Sequence, residues 1–185
     1  MKEKSSSAVA IIGGADGPTS VFMAGMIGKL PLKIRIKNRI YKWKSKKAQK
    51  RIVAGAHTME EVVVYADEKY HLTEVTETQR KYVEQRKCLK ESLISRHRPE
   101  MLDSIPDEEM PMDFHIYEIS SGRARLEMEI DYRWDVFGIS YSGSKKEMKQ
   151  FKRIARDLYL YYGVSEEDIK NKTDRYHSLL ATLSA

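Results

Sequence analysis

From Arg125 to Tyr132 the chain reads R-L-E-M-E-I-D-Y. Leu126, Met128, Ile130 and Tyr132 fall on one side of an extended backbone, and Arg125, Glu127, Glu129 and Asp131 on the other. A period of two marks a strand with one face buried, and the short turns around it make it antiparallel. FHIYEI, residues 114–119, precedes it across the turn SSGR, and VFGISY follows, so the three form a meander. Elsewhere the apolar spacing is helical. Thr58 with Glu61 three residues later is a capping box ahead of an apolar run, predicting a helix over about 59–70. A second helix spans about 77–97 with Tyr82, Val83, Leu89 and Leu93 as its buried stripe. Ser144 opens a third, to about Tyr162, with Met148, Phe151, Ala155, Leu158 and Tyr162 on one face. Ser165 opens a last one with Ile169, Tyr176, Leu180 and Leu183 inward. Pro99, Pro106 and Pro111 mark an irregular acidic connector. The pattern is that of an α+β fold with a three-strand antiparallel meander and about four helices.

Two further elements precede that domain. AVAIIGG predicts a short extended segment and a turn. Pro18 suits the first turn of a helix capped by Asp16 or Gly17, which runs through SVFMAGMIGK and stops at Pro31. Ile36, Ile40 and Trp43, with Tyr41 beside them, then recur at helical spacing among Lys and Arg. At Ala54-Gly55 the composition changes. The expected organisation is therefore residues 1–53, a hydrophobic Gly-rich motif plus a basic amphipathic arm, and residues 54–185, an α+β domain.

Charge sharpens this division. The formal net charge is +6, yet residues 29–51 hold eleven Lys/Arg and no acid, while residues 52–185 carry a net −5. The protein is a basic arm on an acidic domain. The ten cations Lys33, Arg35, Lys37, Arg39, Lys42, Lys44, Lys46, Lys47, Lys50 and Arg51 are the candidate contacts for an anionic surface. Interleaved Tyr41 and Trp43 suit a lipid interface or a nucleic acid. No RRM, KH or zinc-finger signature supports the latter, which is the less favoured partner. A solvated basic helix that contacts the acidic domain is the plain alternative.

Chemistry is sparse in the rest of the chain. Cys88, the single cysteine, excludes an internal disulfide and points to a reducing compartment. Lys and Arg neighbours surround it, but no His or Asp pattern makes it a nucleophile, and a structural role is expected. His57, His71, His97, His115 and His177 are scattered without metal-ligand spacing. Glu127, Glu129 and Asp131 share a strand face, as a cation site would require and as a solvated face also provides; the solvated face is expected. Tyr159, Tyr161 and Tyr162 read as core and rim aromatics. No nucleophile with a base partner is legible, so nothing in the sequence supports catalysis.

The most distinctive stretch is Ile11-Ile12-Gly13-Gly14-Ala15-Asp16-Gly17-Pro18-Thr19. It resembles a signature of the beta subunit of sodium-ion-translocating decarboxylases, the oxaloacetate, methylmalonyl-CoA and glutaconyl-CoA decarboxylase pumps. In that family the motif is a broken membrane segment whose aspartate couples sodium movement to decarboxylation. The resemblance implies a cation role for Asp16, with Gly13, Gly14, Gly17 and Thr19 around it, and sodium as the one ion expected; no other cofactor follows. Unwound backbone at membrane depth is tolerated where it lines a cavity, which fits the family's use of glycine and proline. The resemblance covers about fifteen of 185 residues, and a pump subunit has many spans where this chain has at most one.

Three other readings of the same residues stand beside it. As a single transmembrane helix, seven Val/Ile/Leu/Phe residues in positions 8–30 contribute about −0.3 to −0.6 kcal/mol each against about +2.5 to +3.5 kcal/mol for one central aspartate, so insertion is marginal. As a phosphate loop, Asp16-Gly17-Pro18 stands where Gly-Lys-Ser/Thr is needed. As an ordinary strand-turn-helix, Asp16 is a cap. The leading expectation is a small membrane-associated protein related by motif to that beta subunit, accessory to such a pump. It would be cytoplasmic, at the inner face of the membrane, with an anionic surface or a membrane protein as partner. The rival is a soluble interaction module with the motif packed in its fold, and a pump subunit proper is the third reading. The sequence implies no particular oligomeric state.

Overall fold

The computed structural model describes residues 10–11, 21–22, 31–97 and 110–185. The fold is α+β. It contains α1 (Leu32–Gln49), α2 (Met59–Tyr70), α3 (Arg80–His97), α4 (Lys145–Tyr162), α5 (Glu166–Asn171) and α6 (Asp174–Ser184). The strands are β1 (Ala10–Ile11), β2 (Val21–Phe22), β3 (Gly55–Ala56), β4 (Thr73–Glu74), β5 (Phe114–Ser121), β6 (Ala124–Asp131), β7 (Val136–Ser142) and β8 (Gly163–Val164). Two compact units emerge. One takes the chain through His57 together with Arg156–Ala185, and the other is Thr58–Ala155.

In the unit of residues 58–155, β4-β5-β6-β7 form one antiparallel sheet. The meander is as the alternation predicts, and β4 is added at its edge through Thr73↔Glu118 and Glu74↔Tyr117. Two residues of strand leave no periodic signal, so β4 is illegible in sequence. Leu126, Met128 and Ile130 of β6 are fully buried on one face. The opposite face departs from expectation, for it is covered, not solvated. Register places Phe114 opposite Asp131 and Ile116 opposite Glu129, so β5 brings apolar residues to the carboxylate side. Tyr82 of α3 packs there with Val75, Phe114 and Ile116, and its hydroxyl donates to the Phe114 carbonyl at 2.6 Å. Leu93 and Ile94 extend the contact with Met110, beside Trp134 and Val136. Val83, expected in the buried stripe, is 56% exposed: Tyr82, Leu89 and Leu93 fall within about 40° of arc, and Val83 lies about 100° from Tyr82. Met148, in the first turn of α4, is likewise exposed, whereas Phe151 and Ala155 are buried. Cys88 lies exposed on α3 and not in the core. The capping box on α2 is complete: Glu61 N–H donates to Thr58 Oγ1 at 3.2 Å and Thr58 N–H to Glu61 Oε2 at 2.9 Å.

In the other unit, α1 packs along α6. Its core is Ala48, Val164, Tyr176, Leu179 and Leu183, with Ile52, Tyr159, Ile169 and Leu180 against it. The short pair β3–β8 is held by Arg175, which donates to the carbonyls of Gly163 (2.9 Å), His57 (2.8 Å) and Tyr162, and stacks 3.6 Å over the Tyr162 ring. Gly163 has φ +62°, and a Cβ there would meet the Gly55 carbonyl oxygen at 1.7 Å, so only glycine fits.

The single C-terminal helix expected from Ser165 is instead two. Lys172 adopts a left-handed conformation (φ 54°), and Thr173 caps α6. The cause is Asp168. Its carboxylate accepts from Ser165 N–H at 2.8 Å in a second capping box and from Thr173 Oγ1 at 2.6 Å, tying the start of α5 to the start of α6. Burial opposes ionisation of Asp168, but the bonds from Thr173 and Ser165 outweigh it and hold the carboxyl below its ordinary range.

Val21–Phe22, expected in a helix, pairs as a strand with Ala10–Ile11, in keeping with the strand preference of valine and phenylalanine. The remainder of that expected helix, the 12–20 motif and the acidic connector around Pro99 and Pro106 lie outside the described residues.

Candidate functional site

α1 is the most unusual element. Its first turn holds Lys33 and Arg35 with no acid, against the positive end of the helix dipole, and its N-cap Pro31 gives no side-chain bond. Only the last turn, with Lys46 and Lys47, carries charge of the favourable sign. What fastens α1 to its unit is Ala48, 4% exposed, together with Ile52 just beyond the helix. At about 100° per residue, Tyr41, Ser45 and Ala48 share one side of the helix. Leu32, Ile36, Ile40 and Trp43 fall within about 80° of arc on the other. That second stripe is open: Leu32 is 70% exposed, Ile36 51%, Ile40 52% and Trp43 64%. The helix thus has two apolar stripes, of which one is used for packing.

The cations around the open stripe have no counter-charge among the described residues. Among the described residues, no Lys or Arg of α1 is within ion-pairing distance of a carboxylate. Lys44 Nζ donates to the Ala185 carbonyl at 3.2 Å, and Lys47 sits 5.5 Å over the Trp43 ring. The plain alternative for this arm, a solvated basic helix that contacts the domain, describes how α1 packs on α6, and that contact is made through Ala48 and not through ion pairs among the described residues. All ten candidate cations lie on or just after this helix and are exposed.

Beside the end of α1 a cleft of about 460 Å³ is lined by Lys46, Gln49, Lys50, Ile52, Ile169, Lys172 and Tyr176. Ile52, Ile169 and Tyr176 make its apolar part, and three of its lining residues are lysines. Lys172, one of the three, was not a candidate from sequence. It enters through the break between α5 and α6, whose signal is Thr173 as a cap three residues before Tyr176.

Two polar clusters in the 58–155 unit also draw attention. On the covered sheet face, Glu118 and Glu127 are direct cross-strand partners. Lys81 Nζ bridges them, at 2.7 Å from Glu127. Gln85 Nε2 donates to Glu127 and Glu129, each at 3.0 Å. Asp131 is fully buried; one carboxylate oxygen accepts from the N–H of Arg133 and Trp134, and the other has no partner among the described residues. At the sheet edge, His115 bonds Glu74 through Nδ1 (2.8 Å) and Asp113 through Nε2 (3.1 Å). In the first cluster Gln85 Oε1, like that second Asp131 oxygen, is buried with no hydrogen-bond partner among the described residues, whereas both ring nitrogens of His115 are bonded. Among the described residues no three His, Cys, Asp or Glu side chains group as metal ligands.

Asp16, Gly13, Gly14, Gly17 and Thr19 lie outside the described residues. His57 stacks on Tyr161 at 4.0 Å and bonds the Tyr161 carbonyl, which is a packing role. No described helix is long and apolar enough to cross a membrane. No family model, curated protein or solved structure matches this chain.

Proposed function

We propose that residues 29–51 attach this protein to an anionic membrane surface, α1 lying in the interface with its open stripe toward the acyl chains. The observation that carries this reading is the exposed row Leu32, Ile36, Ile40 and Trp43 flanked by cations that, among the described residues, pair with no carboxylate. A helix rich in Lys/Arg with Trp and aliphatic residues on one face binds lipid by burying the face and attracting anionic headgroups. Each cation near such a surface adds about 1 kcal/mol before screening. A nucleic acid would use the same charge but would leave three aliphatic side chains in water, so lipid is favoured. The preceding motif supports the setting: its resemblance to the beta subunit of sodium-translocating decarboxylases makes a membrane complex of that class the protein partner, with this chain as an accessory.

Sedimentation with lipid vesicles tests the attachment. Binding to vesicles with anionic phosphatidylglycerol should exceed binding to neutral ones. It should weaken steeply with salt, because the Debye length is already about 8 Å at physiological ionic strength. Ile36→Ser with Ile40→Ser should weaken it about tenfold by removing buried apolar area while leaving the packed side intact. Replacing Lys42, Lys44, Lys46 and Lys47 by Gln should weaken it too. Equal binding to neutral and anionic vesicles rejects the electrostatic mechanism, and tight binding to RNA without lipid binding moves the function to nucleic acid.

A further inference from the structure

The cleft at the end of α1 adjoins the open stripe, but Ile169, Lys172 and Tyr176 give it a lining that the stripe lacks. Lys46 and Lys50 are one helical turn apart on α1, so their side chains leave the helix on the same side. Lys172 faces them from the α5–α6 break. Its backbone is in the left-handed region, which L-residues with a long side chain adopt only when something holds them there. The Asp168 bonds to Ser165 and Thr173 hold that backbone, and the side chain lies over the ring of Tyr176, 2% exposed, with the Lys172 ammonium 4.0 Å from the ring centre. Three lysines therefore line one cleft, no carboxylate lines it, and among the described residues none of the three is ion-paired. Like charges gathered without a counter-charge repel, and an anion is what relieves them. The floor of Ile52, Ile169 and Tyr176 adds a demand for apolar contact.

We infer that this cleft binds a phosphomonoester group carried on a molecule with an apolar body. A dianionic phosphate offers several acceptor oxygens to three point-charge donors, which a phosphodiester monoanion does less well. Of the two sources of that chemistry, a membrane lipid with a phosphomonoester headgroup is favoured over a free phosphorylated metabolite. The reason is proximity: Lys46 and Lys50 are within two turns of Trp43 on the same helix, so a headgroup in the cleft leaves its chains beside the stripe. This choice of source rests on the surface attachment proposed above; the phosphate site itself does not.

Lys172→Asn is the discriminating variant. Asparagine tolerates the left-handed backbone, the ammonium is lost, and α1 keeps every cation. In one arm, the full chain is titrated with glycerol 3-phosphate, with glycerol at matched ionic strength as control, and its melting temperature is followed. The expected result is a rise with glycerol 3-phosphate alone that disappears in Lys172→Asn. In the other arm, binding to vesicles containing phosphatidic acid is compared with phosphatidylglycerol vesicles of equal surface charge. The expected result is about tenfold preference for phosphatidic acid, abolished by Lys172→Asn while binding to phosphatidylglycerol persists. A response to the soluble ester without lipid preference overturns the lipid source. No response in either arm, with phosphatidylglycerol binding retained, overturns the cleft and leaves the surface attachment standing. Loss of all vesicle binding with the soluble response intact overturns the attachment and the lipid source together, and leaves the phosphate site.

Discussion

His115 carries a carboxylate at each ring nitrogen, and only the protonated imidazole can donate to both. Partial burial works against the charge, but the bonds from Glu74 and Asp113 outweigh it and raise the pKa above the ordinary histidine value. Tyr117 and Tyr132 complete the surroundings, stacked on and edge-on to the ring. Burial first, then each other's proximity, raises Tyr117, so both phenols stay neutral near pH 7. The stability His115 contributes is complete below about pH 6.5, the unfolded value, and is lost as pH rises through the raised folded value. His115→Gln should therefore cost little at alkaline pH and more at pH 6, by under about 1 kcal/mol per exposed pair. Denaturant melts of both proteins from pH 5.5 to 9 check this; a gap that widens with rising pH would contradict it.

At the scale of elements, α3 and the sheet face it covers show what sequence patterning reveals and what it conceals. The alternation of β6 was legible because three residues on one side are purely apolar. The other side, four polar residues, looks like a solvated face from within its own strand. Its burial is decided by Phe114 and Ile116 on the neighbouring strand and by a helix some forty residues earlier. Lys81 is what makes that burial tolerable, by separating Glu118 from Glu127. Lys81→Ala should destabilise the protein by about 1–3 kcal/mol, less than for a fully buried pair because both carboxylates keep some solvent. Denaturant melts of both proteins check this, and an unchanged midpoint would show that Lys81 plays no part in holding the two strands' carboxylates together. Helix starts were legible for the same local reason as β6: Thr58 and Ser165 bond within four residues of themselves. The break at Lys172 was not, since it depends on Asp168 reaching both Ser165 and Thr173.

Across the whole molecule, the basic arm was plain in composition, but its orientation was not. α1 has two apolar stripes, and the one that packs is selected by α6, more than 120 residues away in sequence. The arm is also part of a core. Cutting the chain at the composition break, to leave 54–185, removes Ala48 and Ile52 from against Tyr176, Leu179 and Leu183. That fragment should melt several degrees below the full chain, since loss of even about 1 kcal/mol shifts a domain of this size by about 2–4 °C. Calorimetry of both checks it, and identical transitions would mean that α1 contributes no stability.

The central claim is that the open stripe of α1 enters an anionic interface, and Trp43 closes that stripe at its C-terminal end. The decisive measurement is the tryptophan emission lost in a Trp43→Phe control, followed as vesicles carrying brominated acyl chains are added. With phosphatidylglycerol present, the emission should shift to the blue and be strongly quenched by bromine, both reversed by high salt. Emission that stays red and unquenched, or that changes equally with neutral vesicles, would contradict it.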